Sequence, residues 1–159
     1  MTWTKAKLGM SMLILAESVF FFMLILSFIY FRSESLKTAA ATLHLPMTSI
    51  YTVCLLASGF TLWRGRLAPT IALGVIFLLG QGREYLALLQ SGVTMSQGLF
   101  GTTFFTVTGI HVIHAALGLI LLGFVSFGRL AAPAIAMFWY FVTAVWVVVF
   151  AVVYLWTFV

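Results

Sequence analysis

Charge is what this sequence has least of. Of its 159 residues 7% are Asp, Glu, Lys or Arg, and 64% are hydrophobic. Soluble domains carry about a quarter charged residues, so this composition excludes an ordinary soluble domain. No polar stretch is long enough to hide one. Acids are scarcest: three glutamates, Glu17, Glu34 and Glu84, stand against eight basic residues. Without clustered carboxylates a carboxylate-built metal site has no basis. Cysteine is almost absent as well. Cys54 is single and falls within a hydrophobic run, which rules out an intrachain disulfide and a thiolate metal site. The net charge of +5 would suggest an anionic partner in a soluble protein. Here the basic residues sit at the ends of hydrophobic runs, where their simplest role is topological, and nucleic-acid binding has no support. A phosphate-binding glycine loop and a nucleophile with a nearby base are also missing. No chemistry by this chain alone is expected.

What the sequence does have is long hydrophobic runs, five of them: about 8–31, 46–63, 70–89, 99–127 and 134–156. At about 1.5 Å per residue these are of a length to cross a hydrocarbon core of ~30 Å. The expected fold is all-α, a single integral membrane bundle of five transmembrane helices over residues 1–159. Pro46 suits the first turn of the second helix, and Pro69 and Pro133 fall just before or at the start of the third and fifth. The first run is too long for a signal-peptide core, contains Glu17 and lacks a small-x-small site, so it is expected to remain as a helix. With loops this short, consecutive helices are expected to pack as antiparallel neighbours. Placing Lys5, Lys7, Arg64, Arg66 and Arg129 in the cytoplasm, with Arg32 and Lys37 outside, gives a cytoplasmic N-terminus and an external C-terminus. Trp3, Trp63, Tyr154 and Trp156 lie near span ends and fit interfacial anchors.

Within the spans, a few side chains are costly to bury. The stretch 100–118, FGTTFFTVTGIHVIHAALG, carries Thr102, Thr103, Thr106, Thr108, His111 and His114 at bilayer depth. Such groups face protein or trapped water rather than lipid, which marks an inner helix. Glu17 lies about ten residues into the first helix, where burial penalises the charged carboxylate. It reads either as a proton-linked site or as a hydrogen-bonded acid that fixes packing or a lipid headgroup. Gln81, Glu84 and Tyr85 are spaced i, i+3, i+4 and share a face, with Gly80 and Gly82 beside them to admit a close neighbour. Arg83 points elsewhere on that helix. His111 and His114 also share a face, and two same-face neighbours on one helix cannot ligate both sides of a haem iron. His44 lies in a loop. A two-histidine metal site lacks a third ligand, so hydrogen bonding between helices is the plainer reading. Phe20, Phe21, Phe22, Phe104 and Phe105 read as packing residues.

Taken in order, these segments resemble subunit III of the haem-copper cytochrome oxidases in its short five-helix form. Gly9-Met10, Ala16-Glu17 and Phe20-Phe21 resemble the family's Gly-Met…Ser-Glu…Phe-Phe. Gln81-Gly82-Arg83-Glu84-Tyr85 resembles its Gln-x-x-Glu-Tyr. The stretch from Ser96 through Thr103-Phe104-Phe105 to Thr108-Gly109-Ile110-His111-Val112-Ile113-His114 resembles Gly-Ser-Thr-Phe-Phe followed by Thr-Gly-x-His-x-x-His. Trp139-Tyr140-Phe141-Val142, Val145-Trp146 and Tyr154-Leu155-Trp156 close the pattern. Tyr140 and Thr143 stand where the family usually has His and Asp, and Gln97 stands where Asp is common. The two leading helices of the longer seven-helix form, which border a lipid-holding cleft, are not among the five spans.

The resemblance implies a non-catalytic membrane subunit of a respiratory terminal oxidase, in a bacterial cytoplasmic membrane. Haem and copper would belong to partner subunits, with none in this chain. Partners would be the catalytic subunit I, other oxidase subunits and membrane lipids, including bound phospholipid. The role would be stability during turnover, lipid binding and access for protons or oxygen. Glu17, Gln81, Glu84, Tyr85, Thr103, His111 and His114 would form or border a polar network between helices. Two alternatives stand beside this: a subunit-III-like accessory of a nitric-oxide reductase, and a small proton-coupled exporter, which Glu17 alone fits.

Overall fold

Each hydrophobic run folds as a helix because a backbone away from water must satisfy its own N–H and C=O groups. The computed structural model describes residues 5–31, 45–94, 99–128, 130 and 132–156. The helices are α1 (Lys5–Tyr30), α2 (Leu45–Trp63), α3 (Leu67–Gln90), α4 (Leu99–Ser126) and α5 (Ala132–Phe150). A π-helical turn, Ala151–Leu155, continues α5. All five spans are long and apolar enough to cross a membrane, and the chain is an integral, multi-pass membrane protein. Pro46, Pro69 and Pro133 fall in the first turns of α2, α3 and α5, where no intrahelical N–H is required. Trp3, Arg32, Glu34, Lys37, His44, Gln97 and Arg129 lie outside the described residues.

The turn between α2 and α3 is set by Gly65. Its φ of 70° is left-handed, and the amides of Gly65 and Arg66 bond back to the carbonyls of Leu62 and Thr61 at 2.8 and 2.9 Å. This closes α2 with a Schellman motif, and glycine enters that conformation without a Cβ penalty. Gly92 (φ 84°) ends α3 in the same way. The tight α2–α3 turn brings these two helices into the most extensive contact of the bundle, and α3–α4 and α4–α5 follow as sequential neighbours. The expected pairing of α1 with α2 is not what forms. α1 packs mainly on α5 and α4.

The core is aromatic and lies where α5 meets α2, α3 and α4. Trp139, Trp146, Tyr154, Phe77 and Phe104 are fully buried. Buried indole N–H groups need acceptors in a dry interior, and α2 supplies them. Trp139 Nε1 donates to Ser58 Oγ at 3.1 Å, and Trp146 Nε1 donates to Thr52 Oγ1 at 2.9 Å. Each hydroxyl donates its own proton to a carbonyl of α2, Ser58 to Leu55 and Thr52 to Thr48, which leaves lone pairs free for the indoles. Replacing Thr52 by Val keeps the shape and strands the Trp146 N–H. The expected cost is about 1–3 kcal/mol, read as a lower melting temperature of the detergent-solubilised protein; an unchanged melting temperature would count against the ladder.

Three expectations are corrected here. Phe21 is buried, but Phe20 and Phe22 are exposed, because only one residue of three can face inward at 100° per residue. Tyr154 is no interfacial anchor: it is fully buried under Phe150, whose ring stacks on it at 5.4 Å. Trp63 and Trp156 do point outward. Gly80 admits the Tyr51 ring directly onto the α3 backbone, whereas Gly82 faces open space.

Candidate functional site

Polar side chains gather in two places, on either side of α4. The first joins α1 to α4. His114 Nε2 lies 3.2 Å from Glu17 Oε2, with the side chains 17% and 26% exposed. His114 Nδ1 is 2.8 Å from the carbonyl oxygen of Ile110. A carbonyl only accepts, so Nδ1 carries a proton and Nε2 meets the carboxyl with its remaining position. Bonding there requires one proton between Glu17 and His114, on the acid or on the imidazole. The pair is therefore a one-proton unit. Phe21 of α1 packs its ring against both histidines, at 5.1 Å from His114 and 6.2 Å from His111. Phe21 and Glu17, one turn apart, tie α1 to α4.

The second gathering lies among α2, α3, α4 and the π-helical turn. The Thr48 hydroxyl donates to Glu84 Oε2 across α2 and α3. Tyr85 OH donates to Thr108 Oγ1 at 2.8 Å, and Thr108 passes its own proton to the Phe104 carbonyl at 2.7 Å. Tyr154 is fully buried on the π-helical turn, its hydroxyl without a hydrogen-bond partner among the described residues. Phe77 meets His111 ring to ring at 6.0 Å and Tyr85 meets Thr108, so Gln81, midway between them on α3, lies between the levels of His111 and Thr108. His111 and Gln81 are fully buried, and their side-chain nitrogens and oxygen find no hydrogen-bond partner among the described residues. The His111 ring lies 4.8 Å from that of Trp146 at 32°.

Glu17 and His114 are thus brought together, as are Glu84 with Thr48 and Tyr85 with Thr108. The Thr103 hydroxyl donates to the Leu99 carbonyl of its own helix at 2.7 Å. At the family's His and Asp positions in the last span, Tyr140 points outward, and Thr143 bonds the Trp139 carbonyl at 3.0 Å beside Gly59. The sequence names Thr108 without its partner and does not single out Thr48; each is one of several hydroxyls in its span, so spacing alone could not mark it. Among the described residues, no three His, Cys, Asp or Glu side chains gather as a metal-ligand set. What the arrangement can do chemically is hold a proton at a stated place and lock helices by hydrogen bonds. Thr48→Val removes a donor from the buried Glu84 carboxyl and is expected to cost about 1–3 kcal/mol. Glu84→Gln keeps an acceptor and should cost less. Thermal melts of the two variants in one detergent would check that order, and the reverse order would refute it.

Residues 55–158 match the sequence model of the family described as cytochrome c oxidase subunit III. The cytochrome c oxidase subunit 3 of Corynebacterium diphtheriae is 31% identical, over 76% of this chain and 70% of its own length. That of Synechocystis sp. is 29% identical, over 92% of this chain and 74% of its own. The probable cytochrome c oxidase subunit 3 of Mycobacterium leprae is 34% identical, over 54% of this chain and 47% of its own.

Proposed function

This chain belongs to the cytochrome c oxidase subunit III family, and we propose that its task is to pack beside the catalytic subunit I and keep it stable during turnover. It is a non-catalytic subunit of a haem-copper oxidase in the respiratory chain. The observation that carries this reading is the family match over residues 55–158. The matched stretch holds Glu84, Tyr85, His111 and His114, and His114 meets the Glu17 carboxyl of α1. The relatives described above carry the oxidase name, so the nitric-oxide reductase alternative is not favoured.

In this reading haem and copper reside in the partner subunits, and phospholipid is the ligand this chain itself holds. The membrane is the bacterial cytoplasmic one, with the N-terminus inside by the basic-residue bias. The Glu17–His114 unit faces the bundle surface, where it stores a proton beside a neighbouring subunit. Purification through this chain in mild detergent, with an optical spectrum and identification of its partners, tests the assignment. Co-purification of a haem- and copper-bearing subunit is the expected result. Recovery of a homodimer lacking haem absorbance would refute it.

A further inference from the structure

Arg83 is a charged residue well inside a span that the Glu17–His114 unit and the Glu84 contacts leave unused. It stands on α3 seven residues before Gln90, about 10 Å below the helix end at 1.5 Å per residue. It is exposed on the surface of a membrane-spanning helix and has no ion pair or hydrogen bond among the described residues. An arginine at that depth reaches its guanidinium toward the headgroup level rather than leaving it in hydrocarbon. There it borders a groove of about 280 Å³ between α2 and α3, lined by Met47, Tyr51, Gly80, Arg83, Glu84 and Ala87. Gly80 lets the Tyr51 ring lie directly on the α3 backbone as one wall of this groove, since any Cβ there would run into that ring. Its floor carries the Glu84 carboxyl held by Thr48.

We propose that this groove binds the headgroup of one phospholipid, with its phosphodiester on the Arg83 guanidinium. Charge complementarity selects the ligand, since a planar fork of N–H donors matches two phosphate oxygens. Position selects the source. Toward the bilayer centre from Arg83 the surface of α3 presents Leu79 and Ile76, both exposed, a track for an acyl chain beneath a bound headgroup. The Glu84 carboxyl beside the phosphate favours a headgroup with a donor of its own, an ammonium or a hydroxyl, turned toward the groove floor. The site lies within two helices of this chain and needs no further span to complete it. It deepens the lipid-binding part of the reading above and does not depend on which subunit is the partner.

The test uses the complex purified through this chain as wild type, Arg83→Gln and Arg83→Lys. Each is delipidated in steps, supplied with vesicles of phosphatidylethanolamine and phosphatidylglycerol, and read by native mass spectrometry. Wild type is expected to retain one more phospholipid per chain than Arg83→Gln. Arg83→Lys is expected to fall between them, because lysine pairs with phosphate as a point charge. Arg83 makes no contact that folding depends on, so all three chains should be recovered equally. Equal lipid retention in the three overturns the proposal. So does a loss of a partner subunit from Arg83→Gln at unchanged lipid count, which would place a protein carboxylate on Arg83. Haem absorbance of the same wild-type sample tests the oxidase assignment separately.

Discussion

Trp139→Ala is expected to be the most damaging single substitution in the chain, costing about 3–5 kcal/mol. Trp139 is fully buried and touches three other helices from its place on α5. Its N–H is bonded to Ser58 of α2. Its ring lies so close to Gly74 of α3 and Gly118 of α4 that a Cβ would stand 3.0 and 2.8 Å from ring atoms. Truncation opens a void that those two glycines cannot fill, since they have no side chains to relax inward. It also leaves the Ser58 hydroxyl without its indole. The mirror experiment is Gly118→Val, which inserts carbon where the ring already lies, and overpacking of this kind adds about 1–3 kcal/mol. Both are read as loss of the chain from membranes at constant expression, and as a lower melting temperature of what remains. Wild-type accumulation and melting of Trp139→Ala would show that the four-helix contact is not where the bundle is held.

The second large effect concerns the one-proton unit. His114→Leu leaves the Glu17 carboxyl at bilayer depth without the imidazole that shares its proton, and Glu17→Leu strands the imidazole. Each is expected to cost about 1–3 kcal/mol, the usual penalty for orphaning a polar group held away from water. Removing both should cost less than the two single losses combined, by roughly 0.5–3 kcal/mol of coupling. Glu17→Gln is expected to be mild, because an amide N–H can donate to His114 Nε2 and keep the contact. If the pair supports the oxidase, the leucine variants assemble less and lose activity faster during turnover. Additive losses in the double variant would remove the coupling, and wild-type assembly and lifetime in both singles would remove the pair from any supporting role.

The spans were legible because hydrophobic length is a property of the sequence itself, and because Pro46, Pro69 and Pro133 mark three of the starts. Which way each side chain faces was far less legible. A membrane helix is apolar toward lipid and toward its neighbours alike, so the 3.6-residue alternation that sorts inside from outside in a soluble helix is nearly erased. That is why Phe20, Phe21 and Phe22 read alike from sequence, although Phe21 alone of the three is buried. Tyr154 misled for a related reason: its place near the end of a span suggests the interface, whereas the π-helical turn sets it under Phe150 in the bundle. The candidate site was half visible. Glu17, Glu84, His111 and His114 stand out as polar residues in apolar runs. Their partners across the bundle could not be read from spacing within one helix. Glu17 finds His114 only because α1 folds back past α2 and α3 to reach α4, and Tyr85 finds Thr108 because α3 and α4 pack as sequential neighbours.

That return of α1 has a consequence for how the chain is made. Synthesis runs from the N-terminus at about 5–20 residues per second, so α1 leaves the ribosome first and its packing partners leave late. About 100 residues separate Glu17 from His114, which corresponds to a lag of roughly 5–20 s at that pace. Over that interval the α2–α3 hairpin can close on itself through its short Gly65 turn, while α1 waits in the bilayer or in the insertion machinery with its acid unmatched. Completion of α4 is therefore the moment at which the first helix acquires a reason to stay. A chain truncated before His114 would carry an unshared carboxyl in its first span.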